Sequence, residues 1–159
     1  MRAMYTKFMA NSDLVVCLHQ VAAPSASEWG EFCSNLERVQ LAEGRFRHLV
    51  LSDGGGPTSV QRKQALQTGK YDNQRLAIVS GSVVLRGIGT AMSWFGADTR
   101  VWTPANIGEA LTWLDLRPRE IEFVVRAKED AERVFGEKPV AAAASLTAPH
   151  LSGRQLHDR

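Results

Sequence analysis

The 159-residue chain predicts an α/β protein: a mixed β-sheet of about four to five strands with helices packed against it, and an extra helix near the C-terminus. Two observations carry that expectation. Short apolar runs rich in β-branched residues (LVVCLHQV, FRHLVL, RLAIVS, TRVWT) alternate with segments of helical period, the order that builds parallel crossovers. The first of these runs is separated from the preceding YTKFMA only by NSD, a turn sequence, so the chain should open with an antiparallel hairpin.

Each element has a local justification. In SASEWGEFCSNLERV, Ser25 and Glu28 have the spacing of a capping box, and Trp29, Phe32, Cys33, Leu36 and Val39 recur on one helical face until Gly44 stops the helix. After FRHLVL, Thr58 and Gln61 repeat the capping spacing and begin SVQRKQALQT, which ends near Gly69. RLAIVS follows, and Ser82 can cap VVLRGIGTAMSWF, whose Leu85, Ile88, Met92 and Phe95 form a stripe closed by Gly96. Beyond TRVWT, Thr103 and Pro104 form an N-cap and first-turn proline for ANIGEALTWLDL. The domain is expected to occupy 1–117. Pro118 opens the additional helix, 118–136, carrying Ile121, Val124, Val125, Ala131 and Phe135 on an apolar face. From 137 to 159 the periodicity gives way to Pro, Ala and Ser, as in a disordered tail.

Composition narrows the function classes. A net charge of +2 with dispersed Lys and Arg leaves no concentrated footprint for nucleic acid. Thr6 and Lys7 interrupt the N-terminal apolar residues, and no apolar run approaches the ~20 residues that span a bilayer, so a cytoplasmic protein without membrane insertion is expected. Cys17, in a strand run, and Cys33, on a helical stripe, read as reduced core residues without metal-ligand spacing. His19, His48, His150 and His157 contain no HExxH pair, and no GxSxG elbow occurs, so no catalytic set, metal or cofactor is expected.

The span from about Leu14 to Leu116, and especially HLVLSDGGGPT, LAIVSGSVVLRGIGTAMSWFG and RVWTPANIGEALTWLDL, resembles the STAS superfamily of bacterial anti-sigma-factor antagonists, in a divergent branch. The resemblance implies a regulatory domain that acts by binding another protein. Antagonists of that family carry a phosphorylated serine immediately after an Asp at a strand end; Asp53 matches the Asp, but Gly54 stands in place of the serine. The phosphoacceptor is therefore not carried over, and Thr58 and Ser59 are weak substitutes.

The candidate binding edge is formed by two loops that each leave a strand and open a helix. The first contributes Asp53, Gly54, Gly55, Gly56 and Thr58; the second contributes Ser80, Gly81 and Ser82, with Arg86 and Trp94 beyond it on the helix. GGGPTS lacks the lysine of a Walker loop, which disfavours ATP hydrolysis. A structural turn, a partner-binding loop and an anion site at a helix N-terminus all remain open for the glycines. The expected function is a non-enzymatic regulatory or scaffolding module working through protein–protein binding. The alternative is a small acidic or amphipathic ligand bound at the same loops.

Overall fold

The computed structural model describes residues 1–68, 74–84, 87, 97–136, 140–143 and 146. Five strands form one mixed sheet in the order β1 (Met4–Phe8), β2 (Leu14–His19), β3 (Arg47–Ser52), β4 (Arg75–Ser80) and β5 (Asp98–Trp102). β1 runs antiparallel to β2, completing the expected hairpin, and β2 to β5 are parallel. Among the described residues the helices are α1 (Ala26–Glu43), α2 (Ser59–Thr68), α3 (Ile107–Trp113) and α4 (Pro118–Val134), with 3₁₀ turns at Pro104–Asn106 and Ala141–Ala143. The helix expected after Ser82 is described only at Val83, Val84 and Gly87, which are helical; Arg86 and Trp94 lie outside the described residues.

The local signals work as chemistry requires. Ser25 and Glu28 make the reciprocal capping box of α1, and Gly44 ends it at φ 74°, the left-handed region that a Cβ disfavours. Thr103 precedes the proline as an extended residue but makes no side-chain cap bond, and a 3₁₀ turn intervenes before α3.

Strand alternation divides the core in two. On one face Val15, Cys17, Leu76 and Ile78 pack under Trp29, Phe32 and Leu36 of α1 and Ala65 of α2. On the other, Leu14, Val16, Leu18, Leu49, Leu51, Ala77 and Val79 meet Ile107, Ala110 and Leu111 of α3 and Val124, Ala127 and Ala131 of α4. This attaches the C-terminal helix to the domain. Lys7 pairs with Asp130, and Tyr5 Oη donates to the same carboxylate at 3.3 Å. At the amino end of the sheet, Arg47 binds Asp13 at 2.7 Å and Glu120 at 2.5 Å and also donates to the carbonyls of Leu114 and Asp115. Both carboxylates are buried, so the guanidinium supplies the compensation that a buried charge needs.

The expected tail from 137 requires correction within its described part. Val140, Ala142, Ala143 and Leu146 are buried in the second core. A turn of small residues needs no helical period to pack, so its sequence resembles a tail while its side chains leave water.

Candidate functional site

Three loops meet at the carboxyl end of the parallel strands, one more than the sequence indicates. Ser52 and Ser80 stand opposite one another in the β3–β4 register, and each hydroxyl accepts the amide two residues on: Gly54 N to Ser52 Oγ at 3.1 Å and Ser82 N to Ser80 Oγ at 3.1 Å. Ser52 Oγ also donates to Gly55 O at 2.5 Å. The β3–α2 and β4 loops touch: a Cβ on Gly54 would lie 3.7 Å from Ser82 Cβ. The loop after β2 is pressed closer still, because a Cβ on Gly55 would fall 1.8 Å from Gln20 O and 2.6 Å from the Val21 carbonyl carbon. Position 55 therefore demands glycine for space, whereas position 54 demands it for its φ of 107°.

The expected site residues divide by role. Asp53 turns away from the cavity beneath these loops: its Oδ1 accepts Ala142 N at 3.3 Å, tying the loop to the opposite core. Thr58 Oγ1 accepts Gln61 N at 3.2 Å while Gln61 Oε1 accepts Thr58 N at 2.8 Å, the capping box that its spacing predicts. Ser59 is exposed beside it, as is Gly81 on the second loop. Gln61 also fastens the helices over the site, donating from Nε2 to Pro24 O at 2.8 Å and accepting Trp29 Nε1 at 2.8 Å.

Below the loops lies a cavity of about 250 Å³ between the sheet and α1–α2. Its floor is Cys17, His19, His48, Val50, Leu76 and Ile78; Trp29, Phe32 and Ala65 cover it; Gly54 to Pro57, Val21, Ala23 and Arg62 surround its mouth. Of the sequence candidates, Gly54, Gly55 and Gly56 reach it. The rings form a continuous wall, with centroids 5.0 Å apart for Trp29–Phe32 and 5.5 Å for Phe32–His48. Sequence reasoning passed over His19 and His48 because they fit no motif. The available signal was strand phase: Val15, Cys17 and His19 share one face of β2, and His48 and Val50 continue that face onto β3.

Burial sets the electrostatics. It lowers the His19 imidazole from 6.5 to about 4, with the Glu28 charge opposing, and His48 from 6.5 to about 3, with His19 adding to the effect. Burial likewise pushes the Cys17 thiol well up. Both rings are therefore neutral and the thiol protonated near pH 7. His48 Nε2 lies 3.0 Å from Cys17 Sγ, whereas Nδ1 of each histidine has no hydrogen-bond partner. Among the described residues Arg62 is the one lining residue with a permanent charge, and its Nη1 donates to Pro57 O at 2.6 Å. Such a site can hold an apolar body and bond a polar group; a protonated, buried thiol is a poor nucleophile. Among the described residues, no three His, Cys, Asp or Glu side chains group as metal ligands.

Comparison with protein-family models, with curated proteins and with solved structures gives no match to this chain.

Proposed function

We propose that the chain is a non-enzymatic regulatory or scaffolding module that binds another protein through the carboxyl edge of its sheet. The observation that carries this reading is the apolar surface around the three packed loops: Val21 after β2, Val60 in the first turn of α2, and Val83 and Val84 after β4 are all exposed. Grouped exposed hydrophobics mark interaction surfaces, whereas isolated ones need no explanation. The STAS resemblance supports the same class of function. With glycine at position 54, recognition rests on shape and apolar contact rather than on a phosphoserine. Among the described residues no helix is long and apolar enough to cross a membrane, and a cytoplasmic partner fits the proposal.

A second reading, a small-ligand domain, is favoured by the cavity under the same loops. Recovery of bound proteins by the wild type, by Val21→Asp/Val60→Asp and by Leu41→Asp tests the docking surface, since Leu41 is equally exposed but lies late in α1. A partner lost only with the double variant supports it. Partners held equally by all three place the interface elsewhere.

A further inference from the structure

The cavity beneath the loops joins an apolar interior to a cation at its mouth. Val50, Leu76 and Ile78 form an apolar bed on the sheet, and Trp29, Phe32 and Ala65 close over it. A cavity of ~150 Å³ is known to admit benzene; at the same space per atom, about 250 Å³ holds about ten non-hydrogen atoms. That is the size of a short hydrocarbon chain with a polar head.

Arg62 gives the mouth its sign. It stands half-buried in the first turn of α2 and lines the cavity, and its Nη1 bond to Pro57 O places the guanidinium beside another lining residue. One such bond leaves further N–H groups to donate. Among the described residues no Asp or Glu pairs with Arg62: Asp53 Oδ1 accepts Ala142 N, and Glu28 accepts the amides of Ala3, Met4 and Ser25. A guanidinium is always charged and presents its donors in a fork that matches a carboxylate. An apolar body filling the interior would carry a terminal carboxylate to this mouth, where the anion keeps contact with water and avoids the cost of deep burial.

We propose that the cavity binds a small amphipathic monocarboxylate, its apolar chain between the sheet and the Trp29 and Phe32 rings and its carboxylate paired with Arg62 at the mouth. This inference rests on the small-ligand reading and names the class of ligand.

Octanoate is the probe, with 1-octanol and octylammonium of equal chain length as comparators, on the full chain near neutral pH. Octanoate should raise the thermal midpoint saturably and move the methyl resonances of Val50, Leu76 and Ile78. 1-Octanol should move the same methyls but bind about five- to tenfold more weakly, the ratio that a partly exposed, charge-assisted pair supplies. Octylammonium should bind more weakly still. Arg62→Gln should lower octanoate to the affinity of 1-octanol and leave 1-octanol unchanged. An octanoate preference that survives Arg62→Gln overturns the pairing. In the wild type, 1-octanol or octylammonium binding as tightly as octanoate while the methyls move would refute the carboxylate and leave the small-ligand reading standing, whereas methyls unmoved by any of the probes would remove both. These wild-type measurements decide the matter even if Arg62→Gln does not fold.

Discussion

Acidification to pH 5 should remove a large part of this protein's stability through two side chains. In the unfolded chain each imidazole takes up a proton near 6.5; in the folded protein His19 does so only at about 4 and His48 at about 3, because burial opposes the charge. The unfolded state therefore binds more protons throughout the interval between those values, and stability falls as pH falls through it. Integrating the linkage from pH 7.5 to 5 gives about 2 kcal/mol per histidine, or about 4 kcal/mol together, with the loss continuing below pH 5. Two carboxyls act in a lower window. Burial opposes ionisation of Glu28, but Ser25 and the Ala3 and Met4 amides hold it below its ordinary value of 4.5; Asp130 is held below 3.8 chiefly by its bond to Lys7. Their stabilisation is present above those values, so the stretch from pH 6.5 to 5 isolates the histidines. Urea unfolding at pH 7.5, 6 and 5 measures the effect: with a slope of ~2 kcal/mol per molar, the midpoint should fall by about 2 M. His48→Phe should roughly halve that fall. A midpoint that drops by less than about 0.5 M would refute the burial of neutral imidazoles and with it the electrostatic account of the cavity.

Gly55→Ala should destabilise the fold by about 3 kcal/mol or more, because the new methyl meets the backbone at Gln20 and Val21 rather than a side chain able to turn aside; a shift below ~1 kcal/mol in chemical denaturation would show that the loops do not pack so closely. Removing residues 137–159 should lower stability by several kcal/mol, since it strips Val140, Ala142, Ala143 and Leu146 from the core and leaves the Asp53 carboxylate without the Ala142 amide; an unchanged calorimetric transition would return that segment to the status of a tail.

The elements of this fold were legible because each carries its own local chemistry. Ser25 with Glu28 and Thr58 with Gln61 specify helix starts within four residues, Gly44 specifies a stop, and the β-branched runs announce strands. The candidate edge was legible only in outline. That Gly54 meets Ser82 follows from both loops leaving neighbouring strand ends, but the intrusion of Gln20 and Val21 depends on how the β2 loop packs. The cavity histidines were hidden for a related reason: residues 19 and 48 approach through register and strand phase, and neither is conspicuous alone. The backbone amide that Asp53 binds could not be identified from the sequence, because it lies 89 residues away in an alanine-rich turn.

The two outer strands bear on how the protein behaves when crowded. Among the described residues β1 and β5 each pair on one side only, and each is five residues long. An unpaired strand is a template for adding another chain, which short length and charge oppose. Here the charges are held in place: Lys7 on β1 is drawn to Asp130, and the Arg100 guanidinium on β5 sits 5.1 Å from the Trp113 ring centre. A neighbouring strand attempting to extend the sheet would find only a short border at either edge, beside an ion pair on β1 and a ring-stacked guanidinium on β5, which disfavours aggregation by strand addition.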